Sequence, residues 1–324
     1  MSETIEQIIN RLNDLETNYL NIPTSINIDN SYFNYYKYQF TPIPLDGNWI
    51  WLDAADSTTI TQTVDGKIST WKDKSINQYT FSMGGIASSF ITEPSYNSVQ
   101  LNNLPTVSFN RDSSQCLICN NNPSLTIGNS SFYFFIVYKY KDTYLNDGSN
   151  FQSVFNKSSG TYGTSSIECS RGSGSFPNRT FIDILDNNSQ SRPKFNLAAQ
   201  GAIFNIYSLI CNRNTPISQG TCDSTVYVNG YNYDISVSSI RYNYNPIFLS
   251  TTTNPIIIGA FGTDSVQQNS FLNGSIAEII GYVTPANMSI KNIMKVEGYL
   301  AWKWGLVDKL PSTHLYKLKP PYVA

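Results

Sequence analysis

Charge is scarce in this 324-residue chain: 21 basic and 23 acidic side chains make 14% of the residues, against about a quarter in an ordinary soluble domain. Glu occurs 7 times, His once and Ala 11 times. A net charge of −2 supplies no basic footprint for nucleic acid or for an anionic membrane. The longest apolar runs, Phe132–Tyr138 and Ile256–Ala260, fall far short of the roughly 20 residues that span a bilayer. Few Ala, Glu and Lys argue against a mainly helical protein. The five cysteines (116, 119, 169, 211 and 222) are an odd number, so they cannot all pair. Cys116-x-x-Cys119 lacks the second pair or the histidines that a zinc site needs, since His314 stands alone. In a strand, positions i and i+3 face opposite sides, so both read as buried structural thiols.

What is present is polar without being ionic. Asn (36), Ser (40) and Thr (26) fill nearly a third of the chain, beside 22 Tyr and 17 Phe. Aromatic and β-branched residues with many Asn and Gly favour strands joined by tight turns. The start, Met1-Ser-Glu-Thr-Ile-Glu-Gln7, lacks a cationic then apolar leader, so synthesis in a reducing cytosol is expected.

Three parts are legible. In residues 1–22, Ile5, Ile8, Leu12, Leu15, Tyr19 and Ile22 are spaced 3, 4, 3, 4, 3, which is a heptad seam. Pro23 ends it. The seam is too short to be stable as an isolated helix. It reads as an oligomerising stalk, with a trimer favoured by Ile at both seam positions, or as a helix docked on its own domain or on a neighbouring capsid protein. Residues 23–47 are a connector with three prolines and the run Tyr32-Phe-Asn-Tyr-Tyr-Lys-Tyr-Gln-Phe40. Residues 48–324 are the main domain.

In that domain alternation marks strands at Trp49–Asp53, Thr106–Asn110, Thr180–Leu185, Thr225–Val228 and Ser275–Ile280. The continuous run Phe132–Tyr138 suits a central strand covered on both faces. Asp65-Gly66, Asp147-Gly148, Asn229-Gly230 and Asn273-Gly274 predict type I′ hairpins, which need φ > 0 at both central residues. One helix is expected over 289–304, with Ser289 as N-cap, an apolar stripe from Ile290 to Trp304, and Gly305 closing it. Gly298 inside it costs about 1 kcal/mol, tolerable if the helix lies close to a sheet. Leu306–Ala324 should wrap as extended chain.

Trp51-Leu-Asp-Ala-Ala-Asp-Ser57, Ile68-Ser-Thr-Trp-Lys-Asp-Lys-Ser75, Leu101-Asn-Asn-Leu-Pro-Thr-Val-Ser-Phe-Asn110 and Ser131–Lys139 resemble successive signatures of concanavalin A-like, laminin-G-type jelly-roll domains. The ending is the most specific: Phe271-Leu-Asn-Gly-Ser-Ile-Ala-Glu-Ile-Ile280, then Glu297-Gly-Tyr-Leu-Ala-Trp-Lys-Trp-Gly-Leu306, then Leu310-Pro-Ser-Thr-His-Leu-Tyr316. The resemblance covers about residues 48–318. It implies an all-β, two-sheet antiparallel jelly-roll sandwich with one C-terminal helix, preceded here by the short N-terminal helix. It also implies that His314 packs rather than reacts and that Trp302 is the half-exposed member of the Trp302/Trp304 pair. Such domains occur in giant viruses, phages and bacterial surface proteins and are mostly binding modules.

Glycosidases of this general fold carry Glu-x-Asp-x-(x)-Glu on one strand, and that spacing is absent. Glu93, Glu168, Glu278 and Glu297 are isolated in sequence, so hydrolysis would need carboxylates converging from separate strands. No cofactor is expected, with calcium as the open possibility. Related domains hold it with loop oxygens, which makes Asp53, Asp56, Asp73, Asp147 and Asn150 candidates for calcium or a glycan by residue type, although Asp and Asn are also the usual turn formers. The resulting expectation is a non-enzymatic virion structural or surface protein, made in the host cytoplasm. Its partners would be other copies of itself, capsid proteins and glycans, with no nucleic acid and no membrane insertion. The alternative is a lectin-like module of a cell-surface or phage-tail protein.

Overall fold

A computed structural model describes residues 45–83, 90–120, 130–141, 152–158, 166–171, 179–185, 194–198, 202–213, 222–232, 255–262, 266 and 270–321. Among these described residues seventeen strands follow in order: β1 (Asn48–Asp53), β2 (Ile60–Gln62), β3 (Ile68–Lys72), β4 (Thr80–Ser82), β5 (Ser95–Leu101), β6 (Leu104–Phe109), β7 (Leu117–Cys119), β8 (Ser131–Tyr140), β9 (Gln152–Ser158), β10 (Ser166–Arg171), β11 (Arg179–Leu185), β12 (Lys194–Ala198), β13 (Asn205–Arg213), β14 (Cys222–Val228), β15 (Tyr231–Asn232), β16 (Ile256–Ile258) and β17 (Gly274–Thr284). Among the described residues one α-helix, α1 (Ile290–Lys303), follows.

The strands form two sheets, paired antiparallel throughout. The first runs β15-β14-β13-β8-β17-β6-β5, with β1 also on β17. The second runs β12-β11-β10-β9-β16-β7-β4-β3-β2. This is the all-β sandwich that the sequence predicts. Its strands start and stop within a few residues of the expected positions, and β17 extends well past Ile280 to Thr284.

The apolar run 132–138 is fully buried because β8 lies between β13 and β17 with layers on both sides. Alternation sends Phe132, Phe134 and Tyr138 to the interface between the sheets. There Phe134 meets Phe155 of the second sheet at 4.6 Å between ring centroids, and Trp49 meets Phe132 at 5.8 Å. Tyr133 and Phe135 take the other face, under α1. Tyr133 Oη accepts the Met288 N–H at 2.6 Å, just before the helix, and Phe135 packs edge-on to Tyr282. A smaller cluster of Cys116, Ile118, Ile257 and Phe271 covers the far face of the second sheet. Cys119 belongs to the main core instead, so the two cysteines face apart, as strand geometry requires. Both are free thiols, and burial pushes Cys116 up to about 12 and Cys119 to about 11.

The turns divide. Asn229 (φ 52°) and Gly230 (φ 77°) join β14 to β15 with positive φ at both positions, as expected. At Asp65-Gly66 only Gly66 is positive (φ 75°). Thr63 N–H donates to Lys67 C=O at 2.9 Å, so three residues close this hairpin and the glycine makes the bulge. Asn273-Gly274 is not a hairpin. Gly274 begins β17 because a Cβ there would lie 2.3 Å from the Lys139 carbonyl oxygen. A type I′ turn not anticipated from the sequence is Asn102-Asn103 (φ 51° and 56°), between β5 and β6. Asn102 Nδ2 donates to the Lys303 carbonyl at 2.8 Å and so closes the end of α1.

Helix α1 matches its expected limits. Ser289 accepts from Asn292 N–H, and Gly305 takes φ 66° beyond the end. Gly298, however, lies close to the C-terminal wrap rather than to a sheet: a Cβ there would stand 2.6 Å from Tyr316 Cβ. Trp304 is fully buried, whereas Trp302 is half-buried and donates Nε1–H to the Tyr316 carbonyl. Residues 1–44 lie outside the described residues, and with them the helix expected over 1–22, its seam and most of the connector. Asp147-Gly148 is outside them too.

Candidate functional site

The densest polar constellation is buried where β1, β17 and α1 meet. Trp51 and Asp53 end β1, Glu278 sits in the middle of β17, and Tyr299, Lys303 and Trp304 lie on the last turn of α1 or just past it. The Lys303 ammonium is 2.5 Å from Asp53 Oδ1 and 2.7 Å from Glu278 Oε2. Glu278 also accepts Trp51 Nε1–H at 2.6 Å, Trp304 Nε1–H at 2.7 Å and Tyr299 Oη–H at 3.0 Å. Asp53 Oδ1 takes the Ala55 N–H, and Oδ2 takes the Lys74 ammonium, both at 3.0 Å. Lys74 continues to Asp56 at 2.8 Å and stands 4.0 Å over the Trp51 ring. Buried charges persist when they are paired and hydrogen-bonded in this way.

Carboxylates from separate strands do therefore converge. One Asp53 oxygen and one Glu278 oxygen share the Lys303 ammonium, which holds them no more than about 5 Å apart, a separation like that of a retaining glycosidase pair. The surroundings prevent that chemistry. Asp53 and Glu278 are 4% and 0% exposed, and Lys303 is 3% exposed. They are enclosed by protein, and every oxygen already faces a protein donor.

Electrostatics grade the cluster. Burial raises Asp53, but Lys303 and Lys74 together outweigh it and hold the carboxyl below its ordinary value. Burial raises Glu278 more than Lys303 lowers it, and the Asp53 charge adds to the rise. At the rim, partial burial of Asp56 is overcome by Lys74 and Thr58, leaving its carboxyl at about 2. A lowered carboxylate stabilises the fold above its unfolded value of 3.8 and loses that contribution as pH falls through its folded value. Wild type is thus expected to be more stable than Asp56→Asn at pH 7, with the gap closing as pH falls from about 4 to about 2. Thermal scans of both proteins across that range check it; a gap independent of pH contradicts it.

Of the residues expected at a calcium or glycan site, Asp53 and Asp56 are brought together through Lys74. Asp73 is spent on the backbone: it accepts Trp51 N–H at 2.6 Å and Ser75 N–H at 2.9 Å, which ties the β3–β4 turn to β1. Burial raises its carboxyl despite these donors. Asp147 and Asn150 are outside the described residues, as are Ile5, Ile8, Leu12, Leu15, Tyr19 and Ile22. Among the described residues no group of three or more His, Cys, Asp or Glu is placed to hold a metal. No described helix is long and apolar enough to cross a membrane.

His314 is buried in the wrap, in line with its expected packing role. Its Nδ1 accepts Tyr316 N–H at 3.2 Å, so the ring proton sits on Nε2, 3.4 Å from Glu297 Oε2. Ser208 Oγ donates to Glu297 Oε1 at 2.7 Å. The order is Ser–Glu–His, with the carboxylate between the other two, so the imidazole does not face the serine as it does in a Ser-His pair.

Sequence reasoning missed Lys74, Glu278, Tyr299 and Lys303 as one cluster. The signal available was a lone charge inside an apolar run: Trp51-Leu-Asp53, Ile276-Ala-Glu-Ile-Ile280 and Trp302-Lys-Trp304.

No family model and no curated protein matches the chain. Solved structures do. The binding domain of Paraclostridial Mosquitocidal Protein 1 is 14% identical, with a TM-score of 0.48 over 78% of this chain and 52% of that one. The binding domain of botulinum neurotoxin DC in complex with SialylT is 12% identical, with a TM-score of 0.43 over 79% and 52%. The CBM40 of the Ruminococcus gnavus IT-sialidase bound to α2,3-sialyllactose is 12% identical, with a TM-score of 0.34 over 53% and 84%. The chain spans about half the length of the two toxin domains.

Proposed function

We propose that this chain is a non-enzymatic attachment module, a β-sandwich that binds glycans at its surface. One observation carries the reading: the two carboxylates that converge are enclosed and bound to Lys303. They serve as a tie between strands and helix. The surface is then the place for function, and the chain's stock of Asn, Ser, Thr and Tyr supplies amide and hydroxyl hydrogen bonds and aromatic faces suited to neutral sugars. The heptad seam at Ile5–Ile22 supports display as a homo-oligomer, and a virus or phage particle is the setting we favour.

A glycan array tests the first part, with and without calcium and with α2,3-sialyllactose among the probes. Reproducible binding without turnover of the bound sugar is expected. An array without a hit, or release of hydrolysed product, overturns it.

A further inference from the structure

The geometry points to an intramolecular amide between Lys303 and Asp53, formed inside the cluster with Glu278 as proton carrier. The three groups stand as such a condensation needs them. Lys303 Nζ is 2.5 Å from Asp53 Oδ1, an oxygen bonded to the carbon it would attack. Amine and acyl group are held together by β1 and α1, which replaces a bimolecular encounter with a fixed contact. Glu278 Oε2 touches the same nitrogen at 2.7 Å. Trp51, Trp304 and Tyr299 fix the Glu278 carboxylate in place, and burial with the neighbouring Asp53 charge raises its affinity for a proton.

The step balances without a further reactant. The ammonium passes one proton through Glu278 to Asp53 Oδ1, and the freed amine of Lys303 adds to the neutral carboxyl at Cγ. Negative charge then gathers on Oδ2, which already receives the Lys74 ammonium at 3.0 Å, as an oxyanion requires. The Cγ–Oδ1 bond breaks, and Oδ1 leaves as water with two protons from the original ammonium, the first delivered through Glu278 and the second from the added nitrogen. The product is a neutral amide with Oδ2 as its carbonyl oxygen. The enclosed site keeps bulk water from reversing the reaction.

The purified full chain, unfolded and digested with trypsin, gives the test. We expect one branched peptide joining the segment of Asp53 to that of Lys303, lighter than the two together by one water, with no cleavage after Lys303. Lys303→Arg keeps the charge but removes the reactive amine, so the branched peptide is expected to vanish. Glu278→Gln, checked for fold by circular dichroism, is expected to leave Asp53 and Lys303 unlinked. Normal cleavage after Lys303 in the wild type, with both peptides at full mass, overturns the amide. A branched peptide persisting in Glu278→Gln overturns the proton-carrier role.

Discussion

Replacing Lys303 by alanine is expected to lower the melting temperature by roughly 10 °C, because removing one partner of a buried ion pair costs about 3–5 kcal/mol and each kcal/mol moves a domain of this size by about 3 °C. The cost arises from what is left behind. Asp53 and Glu278 would face each other across about 5 Å with only Lys74, on the far oxygen of Asp53, to offset them. Acid should partly rescue the variant, since protonating either carboxylate removes the repulsion. Calorimetry at pH 7 and pH 5 checks both points, and a variant that melts like wild type at pH 7 contradicts them. That figure takes Lys303 and Asp53 as an ion pair; where the amide has replaced the pair the drop is larger, because a link across 250 positions constrains the unfolded chain by about 5 kcal/mol in the chain-entropy view.

The same cluster shows what a linear sequence exposes and what it hides. Period-2 alternation and the run 132–138 report local burial, so β8 and the sandwich class are legible without coordinates. Asn229-Gly230 is legible because a two-residue connection leaves no freedom beyond its two φ angles. Asp65-Gly66 and Asn273-Gly274 carry the same dipeptide signal and differ in outcome. The first has an extra residue in its loop, and the second pairs with β8 as the start of a strand. Strand pairing over such distances is not written in the dipeptide. The Asp53–Lys303 contact joins the first strand to the helix, and no local pattern predicts its register. Its trace is chemical: in a chain that avoids charge, an ionised residue between two large apolar ones needs a partner indoors.

Phe155→Ala should be the other strongly destabilising change, by about 3–5 kcal/mol from the lost transfer energy and the cavity left behind. Phe155 is completely buried, and its ring meets two rings of the first sheet, Phe134 at 4.6 Å and Trp49 at 6.4 Å. Its backbone is held on both sides, by Ile258 of β16 and Cys169 of β10, so strands cannot slide inward to close the space. The measurement is a urea titration, in which the midpoint should fall while the slope stays near that of wild type, since the surface exposed on unfolding is nearly unchanged. Phe155→Leu retains most of the volume and should recover more than half of the loss. A deficit in the leucine variant equal to that of alanine would mean that contact between the rings, rather than filled volume, holds the sheets together here; comparable stability of Phe155→Ala and wild type would mean that the sheets do not meet at this ring. Because this site is remote from the charges on the other face of the first sheet, its effect should add to that of Lys303→Ala, and the double variant separates interior packing from the tie between β1, β17 and α1.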